Sequence, residues 1–209
     1  MIRPPGFAGA AFGTMDTGDL RTDRKRREQV ARDLGIPIAW AFVRQIHSSI
    51  LVEATRSGML GEADTIMTQQ PGLPIAVATA DCVPLIIEAE NATAIVHAGW
   101  RGAAAGSVVV VLEALIAAGH VPRRAAIGPA IGACCYEVGD EVADLFPGYV
   151  SRTEWGSTSI DIPGFLESQL EGLLVWKSNE CTYTSSRLYS WRRDQTLQRQ
   201  VAVAWLPND

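Results

Sequence analysis

Cys82, in the run Thr79-Ala80-Asp81-Cys82-Val83-Pro84, lies fifteen residues before His97, in Val96-His97-Ala98-Gly99-Trp100-Arg101-Gly102. A second imidazole, His47, closes Arg44-Gln45-Ile46-His47. One thiolate and two imidazoles suit zinc, and three protein donors leave that ion one coordination position for chemistry. The chain has three histidines in all, and two of them sit at strand ends beside glycine and arginine. The third, His120, follows Gly119 at a helix end, where an imidazolium meets the carbonyl dipole; its expected role is structural.

Spacing predicts that Cys82 and His97 meet. Residues 83–89 and 92–97 are apolar, partly β-branched runs of strand length, separated only by Glu90 and Asn91. If Ala89 pairs with Ala92 across that turn, Pro84 lies opposite His97. Cys82 shares the parity of Pro84, so it projects from the same face as His97. Diagonal neighbours of this kind are roughly 7–8 Å apart along the backbone and closer at the side chains. A shift of one residue would send the two to opposite faces.

Other groups complete a candidate site. Asp81 is read either as acceptor for a ligating imidazole, the usual partner of a metal-bound His, or as a carboxylate capping a turn. Gly99 to Gly102 precede an expected helix over 103–118, and Arg101, Gly102 and the amides of that helix start form a candidate anion site. Arg44 is a second candidate for phosphate or carboxylate. Cys134-Cys135 sit in the glycine-punctuated run 127–137, and packing is the preferred reading because no His or further Cys stands at metal spacing from them. Residues 181–183 and 188–194 add aromatics and arginines that line a pocket for a flat ligand or close the core.

Expected strands are 38–44, 50–54, 64–68, 74–79, 83–89, 92–98, 123–128, 158–161, 179–183 and 200–206. Expected helices are 23–34, 103–118, 137–146 and 163–175. Strands and helices alternate irregularly, so the expected fold is α/β or α+β, a layered mixed β-sheet with flanking helices in a single domain over 1–209. The composition, 47% hydrophobic and 20% charged with a net charge of −5, is that of a soluble globular chain. The acidic balance argues against nucleic-acid binding. The basic run Arg21 to Arg27 is read as a solvated helix face capped by Thr22 or Asp23. No apolar run reaches the ~18 residues of a membrane span, and the N-terminus does not resemble a signal peptide. The expected address is cytoplasmic, with four free cysteines.

These motifs, in order, are QIH, TADCVPLII, VHAGWRG, IGPAIGACCYEVGDEV and CTYT followed by YSWRRD. Together they resemble the YfiH/YlmD laccase-domain family, whose members are regarded as purine nucleoside phosphorylases and have also been called multicopper polyphenol oxidoreductases and peptidoglycan editing factors. The resemblance runs from about residue 40 to the end. It implies that His47, Cys82 and His97 are the catalytic zinc ligands. It implies phosphorolysis of adenosine, inosine, guanosine and methylthioadenosine, and hydrolytic deamination of adenosine by an ion-activated water attacking C6. In that reaction Arg44, Arg101 and the amides after Gly102 are expected to hold phosphate. The partners would be nucleoside and phosphate, for a monomer or homodimer. Three features depart from the family: the opening 7–35, Thr184 where a second cysteine is usual, and Ser48 where glycine is frequent. Thiolate and imidazole also suit copper. Three histidines, however, cannot supply the several metals of a multicopper oxidase. An editing hydrolase acting on a peptidoglycan precursor is the alternative use of the same site. A zinc-stabilised interaction protein would need a fourth donor, which no motif offers.

Overall fold

The computed structural model describes residues 1–208. The period-two alternation of the strands builds two sheets stacked face to face. One is five-stranded, in the order β1 (Ala10–Phe12), β13 (Gln200–Ala204), β6 (Ile75–Thr79), β2 (Ala41–Arg44) and β4 (Gly58–Glu62). The other is six-stranded, in the order β12 (Leu174–Lys177), β9 (Pro122–Ile127), β7 (Val83–Ala89), β8 (Ala92–Ala98), β5 (Thr65–Thr68) and β3 (Leu51–Glu53). A small hairpin, β10 (Val150–Arg152) with β11 (Thr158–Ile160), stands apart. Parallel pairs (β2 with β4 and β6, β3 with β5, β9 with β12) mix with antiparallel ones, as expected of a mixed-sheet α/β fold.

Side-chain parity sorts the core into layers. Ile75, Val77, Phe12 and Ala202 of the first sheet meet Ile66, Ile86, Ile95 and Ala126 of the second. Ile66, Ile86 and Ile95 stand in one row, since Ile95 pairs with Ile66 on one side and Ile86 on the other. Each is fully buried, and such burial is worth about 1.5–3 kcal/mol per side chain. Leu85, Ile87, Ala94 and Val96, of opposite parity, face the helices α2 (Trp100–Ala104), α3 (Ser107–Ala117) and α5 (Ile162–Ser168). On the far side Ala76 and Ala78 pack under α1 (Arg24–Leu34). Asp23 caps α1 by accepting from the Arg26 N–H, and Gly35 ends it in the left-handed region. The order is therefore helix, sheet, sheet, helix. No helix among the described residues is long and apolar enough to cross a membrane.

Some elements differ from the sequence expectation. The helix expected over 103–118 is two, α2 and α3, because Gly106 (φ +75) turns the chain between them. The helix expected over 137–146 shrinks to α4 (Asp140–Ala143), with its flanks held as turns. The helix expected over 163–175 stops at Ser168, and Leu174 to Lys177 join the second sheet beside β9. Residues 179–183 form turns with a single bridge, Ala130 to Cys181. Strands β1, β4 and β10 and the short helix α6 (Trp191–Asp194) were not expected.

Candidate active site at the sheet crossovers

The predicted register is the observed one: Ala89 pairs with Ala92 and Pro84 with His97. His97 shares the parity of Ile95 and so lies between the sheets, 4% exposed at its side chain. Pairing of β5 with β8 continues one residue past Thr65, since the His97 N–H donates to the Asp64 carbonyl at 2.8 Å. This sets the Asp64 carboxylate beside the imidazole, where Oδ1 accepts from His97 Nδ1 at 2.8 Å.

Asp64 is fully buried and is the hub of the site. Besides His97 it accepts from the backbone N–H of Ile46 (3.1 Å), His47 (3.0 Å) and Ser48 (2.6 Å), and from the Ser48 hydroxyl (2.8 Å). Three consecutive amides can aim at one carboxylate because His47 adopts a left-handed backbone (φ 62), which curls the chain into an anion nest. Burial opposes the Asp64 charge, but the bonds from His97 and Ser48 outweigh it and hold the carboxyl far below the usual carboxylate range. With Nδ1 committed to Asp64, the His97 Nε2 is the nitrogen left for an ion.

Cys82 follows a second left-handed residue, Asp81 (φ 94), in the turn from β6 to β7. Asp81 does not touch either imidazole. Its Oδ1 accepts from the Thr182 hydroxyl at 2.6 Å, its Oδ2 from the Arg192 N–H at 2.7 Å, and its carbonyl from the Ile131 N–H at 2.9 Å. It is the turn-fixing carboxylate of the two readings, and the imidazole's partner is Asp64 instead.

The three predicted donors converge. Cys82 Sγ lies 3.8 Å from His47 Nε2, the two imidazole centroids are 5.0 Å apart, and one donor atom from each of the three lies within 4.8 Å of the others. Burial pushes the Cys82 thiol up, yet the charge of His97 and the bonds from both imidazoles bring it down to about 6. Burial likewise opposes protonation of His97, but the Cys82 thiolate and Asp64 raise it to about 9. A thiolate, two imidazoles and a carboxylate behind one of them are a donor set that fits a zinc-like ion. Gly99 makes room for it: a Cβ there would stand 2.9 Å from His47 Cδ2 and 3.1 Å from Cys82 Sγ.

All three donors open on a cavity of about 940 Å³, walled by Tyr136 and Trp191 and lined by Arg21, Arg44, Arg192 and Arg199. Arg44 lines it as expected, but its guanidinium is paired with Glu62. Arg21 is paired with Asp19. Arg101 lies over the Trp100 ring, 4.2 Å from the centroid, and neither it nor Gly102 lines the cavity. Gly102 is the third residue of α2 rather than the start of a long helix, and it abuts the Ser48 carbonyl. Arg192 and Arg199 have no carboxylate partner among the described residues; their head groups bond to carbonyls of Glu137, Thr196 and Gln198 and lie over the rings of Tyr136 (5.5 Å to the centroid) and Trp191 (5.9 Å). Sequence reasoning missed Asp64 and Arg199; Arg192 lies in the run 188–194 that was read as lining a pocket for a flat ligand or closing the core. His120, away from the site, bonds to Gln69 at 2.8 Å. Cys134 and Cys135 are joined by Cys181, so the pair read as packing has a third sulfur beside it.

A family profile described as multi-copper polyphenol oxidoreductase laccase matches residues 2–207. A Streptomyces griseus protein named purine nucleoside phosphorylase is 34% identical, covering 96% of this chain and 90% of its own. A Deinococcus radiodurans protein of the same name is 36% identical over 90% of this chain and 79% of its own. The crystal structure of YlmD from Geobacillus stearothermophilus superposes with a TM-score of 0.87 at 26% identity, covering 100% of this chain and 98% of that one. The structure of YfiH from Bacillus licheniformis gives 0.85 at 26% identity, covering 94% and 92%. The chain belongs to the multi-copper polyphenol oxidoreductase laccase family, the family of YfiH and YlmD.

Proposed function

We propose that the protein is a purine nucleoside phosphorylase that also deaminates adenosine. The observation that carries this reading is the meeting, in one cavity, of a three-donor ion site, two aromatic walls and two arginines without a carboxylate partner. The names of the relatives support it. Tyr136 and Trp191, each with a guanidinium over one side of its ring, wall a slot for a purine, and Arg192 and Arg199 offer charge-assisted donors for phosphate beside it. Phosphorolysis forms a bond from a phosphate oxygen to C1′ as the bond from C1′ to purine N9 breaks, and the base leaves with a proton. Arginines that hold phosphate at C1′ stabilise the reacting pair while positive charge develops on the ribose. Arg44 joins them only by giving up Glu62; Gly102 acts from outside the cavity by packing under the His47 loop, and Arg101 lies outside it over Trp100.

His47, Cys82 and His97 would hold zinc, which when bound supplies Lewis acidity at an open position. The family description invokes several coppers. His120 is engaged with Gln69, which leaves two imidazoles for the site, and a multicopper cluster needs more. Adenosine, inosine, guanosine and methylthioadenosine are the substrates to assay. The test incubates the zinc-analysed protein with each nucleoside and phosphate. Ribose 1-phosphate (or its methylthio counterpart) and free base are expected by chromatography, with inosine or hypoxanthine from adenosine. Failure to consume any of the four refutes the reading.

A further inference from the structure

Three of the four cysteines form a cluster outside the site just described. Cys134 and Cys135 end the loop that follows β9, and Cys181 lies in the turns after β12. Parallel pairing of β9 with β12 and the Ala130–Cys181 bridge bring the two segments side by side. The Cys134 sulfur lies 2.9 Å from that of Cys135 and 3.6 Å from that of Cys181. All three sulfurs lie within 4.8 Å of one another. With zinc–sulfur bonds near 2.3 Å, tetrahedral sulfurs are roughly 3.8 Å apart, so the Cys134–Cys181 edge is close to the size an ion needs and the Cys134–Cys135 edge has to open by about 0.9 Å, a side-chain rotation.

The surroundings favour a cation. The Gly132 N–H donates to Cys181 Sγ at 3.3 Å. Burial acts against the Cys181 thiolate, but amides of Gly132, Thr184 and Tyr183 hold that thiol below its ordinary value, whereas burial and the neighbouring sulfurs push the Cys134 and Cys135 thiols up until a cation meets them. A cavity of about 260 Å³ opens on Cys134 and Cys181, while Cys135 is buried behind them. That cavity gives an ion a way in and leaves space for a small fourth ligand. Gly132 borders the cluster: a Cβ there would make ordinary contact with Cys134 Sγ at 3.4 Å and Cys181 Sγ at 3.7 Å.

We propose that Cys134, Cys135 and Cys181 form a second, thiolate-only metal site that takes a soft d¹⁰ cation, zinc(II) or copper(I). Sulfur donors alone select such ions over magnesium, calcium or manganese. The site ties together two segments that each hold Asp81, through the Ile131 N–H and the Thr182 hydroxyl. An ion there braces the turn that carries Cys82. The proposal does not depend on what the first site catalyses.

The test uses the full chain, stripped of metal, reduced, and titrated with cadmium(II) as probe. Native mass spectrometry of the wild type is expected to show two ions per chain. The His47→Ala/His97→Ala variant is expected to keep one ion with the near-ultraviolet charge-transfer intensity of three thiolates. The Cys134→Ser/Cys181→Ser variant is expected to lose that ion and keep the one at Cys82. Metal analysis after growth in zinc- or copper-supplemented medium separates the two natural ions, either of which supports the proposal. Wild type saturating at one ion that the Cys134→Ser/Cys181→Ser variant still binds overturns it. So does a bound ion with the charge-transfer intensity of a single thiolate in the histidine variant, or a Cys134–Cys181 disulfide in protein kept under reductant.

Discussion

Asp64→Asn is the sharpest probe of the site, because it changes one atom and leaves the shape intact. The carboxylate accepts five hydrogen bonds, three at Oδ2 and two at Oδ1. An asparagine amide has one acceptor oxygen, so its NH₂ must face one of these groups of donors. The less costly arrangement turns the NH₂ toward the pair at Oδ1. His97 can adapt by giving up its Nδ1 proton and accepting from the amide. Its remaining proton then sits on Nε2, the nitrogen that faces Cys82. The His47 N–H cannot adapt, and losing its bond to a charged acceptor costs about 1.5–3 kcal/mol. For a chain of this size each kcal/mol lowers Tm by about 2–4 °C, so the fall should be roughly 3–12 °C. Removing such a carboxylate behind a ligating histidine lowers ion affinity by about 10–100-fold, or about 1.4–2.8 kcal/mol. Zinc competition titration measures the affinity, and ¹⁵N spectra of the imidazole report the tautomer. Affinity within twofold of wild type, with the Nδ1–H tautomer retained in a folded variant, would refute the reasoning. Ser48→Ala removes only one of the five bonds to the charged carboxylate and should cost about 1.5–3 kcal/mol of stability with little change in affinity.

Gly99→Ala should displace Cys82 or His47 and cut ion affinity at least tenfold while the chain stays folded, as read by titration and circular dichroism. Arg192→Ala and Arg199→Ala should each raise the KM for phosphate at least tenfold with a smaller effect on nucleoside binding; equal loss on both substrates would remove them from the phosphate site. Ion affinity should depend on pH with a definite sign. Between about 6 and about 9 the metal-free pair is thiolate and imidazolium, so loading releases the His97 proton and affinity rises about tenfold per pH unit. Below about 6 the Cys82 proton must also leave and the slope steepens, and above about 9 it flattens. A flat profile from pH 6 to 9 contradicts the imidazolium assignment.

The hairpin that aligns Cys82 with His97 could be read from sequence because its turn is local: two apolar runs and two intervening residues fix one register. Asp64 could not. It is 33 residues from His97, and only the order of strands in the sheet, with β5 beside β8, makes them neighbours. Cys181 was missed for the same reason, since its approach to Cys134 depends on β12 adding to the edge of β9. The expected helix through 163–175 ran too far because Leu173-Leu174-Val175-Trp176 is a short apolar run, which periodicity cannot assign to helix or strand. Arg44 and Arg101 stood next to recognised motifs and so were favoured for phosphate. The ion pair of Arg44 with Glu62 and the placement of Arg101 outside the cavity are both tertiary, so neither could be read from the motifs.

His47 stands where the chain passes from β2 in one sheet to β3 in the other, and Cys82 where it passes from β6 to β7. The two layers are thus stitched at the same points that present the donors: Cys82 meets His97 through the β7–β8 hairpin, and His47 joins them from the crossover out of β2. Cargo held there acts as a clasp on the whole sandwich. Occupancy at a hundredfold excess over Kd should therefore add about 2.7 kcal/mol to global unfolding, shared by every strand, and slow exchange of amides as far away as the Ile66–Ile95–Ile86 row.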